Sequence, residues 1–205
     1  MRNGIPPQGL DVSRETLQRL ETFEQVIQKW NPKINLVSKS SLEHLWMRHI
    51  ADSIQVFRCA DPVGHWVDIG SGGGFPGLIV AILAADEAPD MKVTLIESDQ
   101  RKSAFLRTAA RECAVKTTVL TERIEKTEPQ EADILSARAL ADLSTLLEFS
   151  ERHLSSEGVA LFPKGESWKK EVDNARQQWQ FVAEQVKSLT EQEAVILKIR
   201  EVARV

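Results

Sequence analysis

The run Asp68-Ile69-Gly70-Ser71-Gly72-Gly73-Gly74-Phe75-Pro76-Gly77 is where residue type and spacing first suggest chemistry. Glycines allow a tight backbone turn and let a ligand approach without a Cβ in the way. The run leaves a β-rich segment, His65–Ile69, and enters an apolar helical one, and in an open α/β sheet that is where ligands sit. The dinucleotide pattern Gly-x-Gly-x-x-Gly fails from Gly70, because Phe75 stands in the third glycine's place, but it matches from Gly72 through Gly74 and Gly77. From the strand end the pattern is Asp-x-Gly-x-Gly-x-Gly, with Asp68, Gly70, Gly72 and Gly74. A carboxylate at that point can receive a ligand's ammonium, directly or through water, and it repels a pyrophosphate. This favours S-adenosylmethionine, which has an amino-acid end and a sulfonium. No Gly-Lys-Ser/Thr follows, so a Walker loop is excluded. Glu97 ends the next β-rich run, where a carboxylate can accept both ribose hydroxyls of a nucleoside.

A fourth β-rich run ends in Ser136-Ala137-Arg138-Ala139. It lacks the Asn/Asp-Pro-Pro-aromatic pattern that accepts hydrogen bonds from an exocyclic amine, and the cysteine needed to attack a pyrimidine carbon. Both absences agree with a ring-nitrogen target. Arg138 either orients a base or phosphate or pairs with Asp133 or Glu97. Cations that could meet RNA are Arg48 and His49, then Arg101, Lys102 and Arg107, then Lys164, Lys169 and Lys170. Arg48 and Asp52, four apart on a helix, can pair with each other. His49 reads as a buried hydrogen bond between the N-terminal helices and the rest. No metal-ligand cluster is evident, and Cys59 and Cys113 read as plain thiols.

The elements that must position these groups follow from periodicity. Leu17, Leu20, Phe23, Ile27 and Trp30 make one helical face over Ser13–Trp30, with Asn31-Pro32 expected to end it. Ser40 and Glu43 fit a capping box before a second helix carrying Leu42, Trp46, Ile50, Ile54 and Phe57. From His65 strands alternate with helices: strands at 65–69, 93–97, 117–120, 132–136 and 158–162, and helices at 76–85, 99–113 and 143–154 with another around Trp168–Trp179. Segments 182–189 and 194–200 are too close for a parallel crossover and form a hairpin. The expected fold is α/β, a Rossmann-like parallel sheet of seven strands with the last pair antiparallel. Residues 1–64 form an N-terminal helical cap and 65–205 the ligand-binding domain, together one compact unit.

The chain has 205 residues, 42% hydrophobic and 27% charged, enough for a buried core. With 26 basic and 30 acidic residues the net charge is −4, which excludes a wholly basic nucleic-acid coat protein. The N-terminus has no apolar run after its charge, and Leu78–Ala85 is too short to cross a bilayer. A cytoplasmic monomer with no membrane partner is expected.

Taken together, Trp30-Asn31, Asn35-Leu36, Arg48-His49-Ile50-Ala51-Asp52-Ser53, the Asp68–Gly77 loop, Glu97-Ser98-Asp99-Gln100-Arg101-Lys102, Phe105-Leu106-Arg107, Arg123-Ile124-Glu125, Ser136-Ala137-Arg138-Ala139 and Lys164-Gly165 resemble one family in order and spacing. It is the glucose-inhibited division protein B family, guanine-N7 methyltransferases of small-subunit (16S) ribosomal RNA. The resemblance spans nearly the whole chain. It departs at Val37, often threonine in the family, and at Ala51, often a larger apolar residue.

The resemblance implies a class I S-adenosylmethionine-dependent methyltransferase whose partner is the small ribosomal subunit or its precursor. It implies that Gly70 and Phe75 line the cofactor site, that Ile124 and Glu125 lie beside the adenine, and that Arg138 sits near the methyl-transfer point. Guanine N7 has a free lone pair, so alignment and desolvation can suffice without a general base. The acidic net charge implies weak binding to bare RNA and favours a folded ribonucleoprotein. The residues also admit a small-molecule or protein methyltransferase, a non-catalytic nucleotide-binding RNA-associated protein and, through the Gly72 register, a dehydrogenase.

Overall fold

A computed structural model describes residues 11–205. The N-terminal residues bearing on a signal peptide lie outside that range.

Helix α1 (Arg14–Ile34) is capped by Ser13, whose hydroxyl accepts the Thr16 amide at 3.0 Å. It does not stop at Asn31. It runs through Pro32 to a left-handed C-cap at Asn35 (φ 49°). Proline three residues from the cap forfeits one late hydrogen bond, and the buried Asn31 stabilises the exit: its carbonyl accepts the Asn35 amide at 3.0 Å and its Oδ1 the Val37 amide at 2.9 Å. Helix α2 (Lys39–Glu43) is short and is capped by Ser38 rather than Ser40, the Ser38 hydroxyl accepting the Ser41 amide at 3.1 Å. The expected second helix is thus divided: a π-helical turn (Trp46–Ile50) separates α2 from α3 (Ala51–Arg58). Arg48, inside this turn, and Asp52, just after it, do not form an ion pair.

Seven strands follow: β1 (His65–Ile69), β2 (Lys92–Ile96), β3 (Thr118–Leu120), β4 (Ala132–Ser136), β5 (Leu154–Lys164), β6 (Trp179–Lys187) and β7 (Val195–Arg204). Their order is β3-β2-β1-β4-β5-β7-β6, with β1–β5 parallel and β7 antiparallel to both neighbours. Helices α4 (Gly77–Glu87), α5 (Gln100–Glu112), α6 (Leu143–His153) and α7 (Trp168–Ala175) complete the chain. The order reverses between β1 and β4, which opens a crevice at their carboxyl ends.

One apolar cluster joins α1 and α3 to α4, α5 and one sheet face, through Leu20, Phe23, Ile27, Ile54, Phe57, Ile79, Phe105 and Leu106. A second lies under α6 on the other face. Helix α4 is buried from Gly77 to Ala84, as an all-round apolar sequence requires. Gly77 permits this close approach: an ideal Cβ there would lie 2.5 Å from both Leu95 Cδ2 and Asp68 Oδ2. Cys59 and Cys113 are free thiols, and burial pushes Cys113 up to about 12. Among the described residues no helix is long and apolar enough to cross a membrane, and no His/Cys/Asp/Glu cluster fit for a metal is present.

Candidate functional site

The glycine loop is built by alternation. Gly70, Gly72 and Gly74 all have positive φ, at 66°, 48° and 86°. A side chain strains the backbone in that region, which accounts for the spacing in the sequence. The Gly70 and Ser71 amides both donate to the Ile96 carbonyl, at 2.9 and 3.1 Å, stitching the loop to the end of β2.

Glu97 then clamps the loop from the next strand. Its Oε2 accepts the Gly72 amide at 2.9 Å and its Oε1 the Asp99 amide at 2.8 Å. Asp99 caps α5 through the Arg101 and Lys102 amides. Each Glu97 oxygen keeps a second acceptor position.

These groups wall a cleft of about 430 Å³. Gly70, Gly72 and Glu97 form one side, Ile124 and Glu125 another, and Leu140 and Phe149 a third. The volume suits a nucleoside-sized ligand, for which sites of about 300–1,000 Å³ are usual. A Cβ on Gly72 would meet only the Gly70 carbonyl at 3.7 Å and Glu97 Oε2 at 4.0 Å, so the glycine leaves a cradle open there. Apolar Ile124 and Phe149 facing an acceptor-rich Glu97 fit an adenosine: a flat base on one side, a diol on the other. Lys102 also reaches this cleft, whereas Arg101 is exposed and lies 3.8 Å from Asp99.

Four expected cofactor residues, Asp68, Gly74, Phe75 and Arg138, stand elsewhere. Asp68 is fully buried behind the loop and walls neither major cleft. Its Oδ1 accepts the Ser136 hydroxyl at 2.6 Å, and Ser136 Oγ accepts the Trp66 indole N–H at 2.9 Å. Burial pushes the Asp68 carboxyl up to about 6, against the hydrogen bonds that favour its charge. A direct contact between Asp68 and a ligand's ammonium is therefore not what this geometry offers. Phe75 and Gly74 are buried too. Phe75 packs edge-on to Phe23 at 5.3 Å, stacks with His49 at 4.9 Å and lies under the Arg138 guanidinium at 5.0 Å, so it joins cap to loop rather than lining a cleft.

A second cleft, of about 740 Å³, lies beside the first and shares Ala139 and Ala141 with it. Its walls come from Arg48, His49 and Asp52 of the cap, Arg138 after β4, Lys164 at the end of β5, and the β6–β7 turn. Arg138 pairs with neither Asp133 nor Glu97. Its Nη1 donates to the Arg48 carbonyl at 3.3 Å, while Asp133 Oδ2 accepts the His65 amide at 2.7 Å. Burial lowers the Arg138 pKa, and the charges of Asp52 and Asp68 oppose this.

His49 does not make the expected cap–domain hydrogen bond. Both ring nitrogens are buried and unpaired, and the link to the domain is the stack on Phe75. Burial and the charges of Arg138 and Arg48 hold its pKa down to about 3, so the ring is neutral at neutral pH. Lys164 is committed internally: its side chain is 9% exposed and its Nζ donates to Glu171 Oε2 at 2.7 Å and to the Ala141 carbonyl at 2.9 Å. Arg107 is exposed and donates to the Val119 carbonyl and Thr121, and Arg48, Lys169 and Lys170 are exposed as well.

Sequence reasoning missed three features of the site. Leu140 lies over Gly70, and an ideal Cβ on that glycine would be 2.6 Å from Leu140 Cδ1. Phe149 walls the first cleft from α6. Gln55 on α3 clasps the β6–β7 turn, donating to the Lys187 carbonyl at 2.7 Å and accepting the Leu189 amide at 2.9 Å, while Thr190 donates to Asp52. An isolated polar residue in the buried stripe of α3 was the available signal for Gln55. Nothing local marks the other two.

A seven-stranded sheet of this order, with a glycine loop after β1 and an acidic end to β2, defines a class I S-adenosylmethionine-dependent methyltransferase. A TehB-like SAM-dependent methyltransferase from Corynebacterium glutamicum shares the fold, with a TM-score of 0.59 at 12% identity over 89% of this chain and 99% of its own. Residues 16–200 match the GidB family model, described as rRNA small subunit methyltransferase G, and the chain belongs to that family. It is 63% identical over 196 residues to "Ribosomal RNA small subunit methyltransferase G" of Ruegeria sp. (strain TM1040), covering 96% of each chain. It is 47% identical over 197 residues to the protein of the same name from Cereibacter sphaeroides (strain ATCC 17029 / ATH 2.4.9), again covering 96% of each. Membership sets aside the hydride-transfer and non-catalytic readings.

Proposed function

We propose that the protein transfers a methyl group from S-adenosylmethionine to N7 of one guanine in 16S ribosomal RNA, within an assembled or nearly assembled small subunit. The observation that carries this reading is the junction of two clefts at Ala139 and Ala141, on a methyltransferase sheet, with Arg138 beside the junction.

In this reading the smaller cleft holds the adenosine and the larger one the target nucleotide. S-adenosylmethionine supplies an electrophilic methyl on a sulfonium, open to in-line displacement by a lone pair. Glu97 accepts the ribose hydroxyls with the lone pairs left over from Gly72 and Asp99. Ile124 packs on the adenine, and the Glu125 backbone meets its edge. Gly70 and Gly72 let the ligand lie against the loop, and Asp68 contributes its field from behind it. Arg138 orients the nucleotide so that N7 points through the junction. No residue need remove a proton, since N7 attacks with a free pair, so the chain's task is alignment and exclusion of water.

Segment 1–64 acts as a cap that supplies one wall of the nucleotide cleft, with 65–205 as the methyltransferase domain. Of the cations expected to meet RNA, Arg48, Arg101, Arg107, Lys169 and Lys170 are exposed and on offer to phosphates. The net charge of −4 supports a preformed ribonucleoprotein as substrate.

The test is methyl transfer from labelled S-adenosylmethionine to small subunits lacking their native modification, with protein-free rRNA alongside. The product is mapped by cleavage chemistry specific for N7-methylguanine. One labelled guanine, formed on subunits and much less on bare RNA, is the expected result. Transfer to neither overturns the reading.

A further inference from the structure

The larger cleft holds three carboxylates, Asp52, Glu171 and Glu191, in different states. Glu171 is occupied on both oxygens: Oε2 accepts Lys164 Nζ and the Leu143 amide, and Oε1 the Ser167 hydroxyl. Glu191 is exposed on the β6–β7 turn and its carboxylate makes no contact that fixes it. Asp52 alone is both positioned and incompletely used. It is half-buried on α3, held by the Thr190 hydroxyl through Oδ1, and among the described residues it has no ion-pair partner within 4 Å. Arg48, four residues before it, lines the same cleft but does not pair with it. A half-buried carboxylate that accepts one hydroxyl, and otherwise feels the charge of Arg138 without a hydrogen bond from it, is an acceptor in want of donors.

The cleft's layout says which donors fit. The cofactor cleft joins it at Ala139 and Ala141, on the sheet side, while Asp52 lies on the wall built by the cap. Guanine N7 and the N1–H/N2–H pair are on opposite edges of the purine. A guanine with N7 at the junction turns N1–H and N2–H toward the cap. Guanine is also the one standard base whose Watson–Crick edge offers two adjacent donors, which match the two oxygens of a carboxylate. Adenine would set its N1 lone pair against the carboxylate.

We propose that Asp52 reads the Watson–Crick edge of the target guanine and is the residue that makes the enzyme specific for guanine over adenine. This rests on the reading of the larger cleft as the nucleotide site. Thr190 is a positioning residue: its hydroxyl fixes one Asp52 oxygen and leaves the remaining acceptor positions for N1–H and N2–H.

The experiment is a cycle between the side chain and the base. Wild type and Asp52→Ala are assayed for kcat/KM on reconstituted small subunits carrying either guanine or inosine, which lacks the 2-amino group, at the methylated position. Any change in N7 nucleophilicity from inosine affects both enzymes equally and cancels. The expected result is a loss of about 10–100-fold for wild type on replacing guanine by inosine, and of less than about threefold for Asp52→Ala, since the partner of N2–H is already gone. Asp52→Asn, which keeps one acceptor, falls between and serves where Asp52→Ala lowers the melting temperature. Thr190→Val, which frees the carboxylate to turn, lowers the inosine penalty to a value between those of wild type and Asp52→Ala. Equal inosine penalties in wild type and Asp52→Ala, or a wild type indifferent to inosine, overturn the assignment while leaving the methyltransferase reading intact. Absence of transfer to guanine by wild type would instead overturn that reading.

Discussion

Glu97 and Gly72 are joined by a 2.9 Å hydrogen bond from the Gly72 amide to a carboxylate that also faces the smaller cleft. One side chain therefore both shapes the glycine loop and offers acceptors to whatever the loop holds. Glu97→Ala removes the acceptors of two buried or half-buried amides and any contact to a ribose. Stability should fall by about 1–3 kcal/mol, and S-adenosylmethionine affinity by at least tenfold. Thermal melting and calorimetric titration check the two effects separately. An unchanged affinity would remove Glu97 from the cofactor site.

Arg138 belongs to the other cleft, so its loss should separate binding from turnover. Arg138→Ala is expected to bind S-adenosylmethionine within a few-fold of wild type and to lose at least 100-fold in methyl transfer to small subunits. Titration and single-turnover transfer on one preparation decide this. Full turnover would leave the guanidinium with only its packing on Phe75.

His49 gives a pH-dependent stability of definite sign. Its pKa lies near 3 in the folded chain against an ordinary 6.5. The unfolded chain then binds more protons between those values, so stability is fully present above about 6.5 and is lost as pH falls toward 3. Asp68 acts oppositely over part of the range: raised from 3.8 to about 6, it favours the folded state more as pH falls through 6 toward 4. His49→Phe keeps an aromatic ring against Phe75 and removes only the first effect. The melting temperature of wild type should drop more steeply than that of His49→Phe between pH 6.5 and 4, with Asp68 common to both. Parallel curves would show that His49 is not held neutral.

Gln55 ties the cap to the β6–β7 turn through two backbone groups that would otherwise lack partners. Gln55→Ala is expected to cost about 2 kcal/mol and to raise hydrogen exchange at residues 188–194, with little effect on amides of the glycine loop. Exchange that stays protected in the turn would show that Asp52 and Thr190 suffice to hold it.

Gly77→Ala tests close packing. An added Cβ would sit 2.5 Å from both Leu95 Cδ2 and the buried Asp68 carboxylate, where neither neighbour has room to withdraw. Overpacking of this kind costs about 1–3 kcal/mol or more, measurable by denaturant unfolding. A neutral substitution would mean that α4 can lift off β1.

Local rules carried much of this. The strand–glycine–helix order, the acidic end of β2 and the final hairpin were legible because each depends on near neighbours: a φ requirement, a two-residue alternation, a short connection. The all-apolar α4 declared its own burial. The π-helical turn left no mark, since one extra residue in a turn changes no composition. Pro32 misled because the C-cap bonds that Asn31 makes to the Asn35 and Val37 amides offset one lost hydrogen bond. The places of Asp68 and Phe75 could not be read from motif spacing, because spacing fixes which residues share a loop and not which way each side chain turns. The larger cleft was least visible: Gln55 and Asp52 meet Lys187, Leu189 and Thr190, residues more than a hundred positions later.

That last separation bears on how the molecule comes into being. Residues 70–149 are enough to wall the smaller cleft, but the larger one needs side chains from residue 41 as well as strand β7. On a translating ribosome the two therefore mature at different times. The last side chain of the smaller cleft, Phe149, is made well before the last of the larger, Ile196, and the turn that Gln55 clasps comes just ahead of β7.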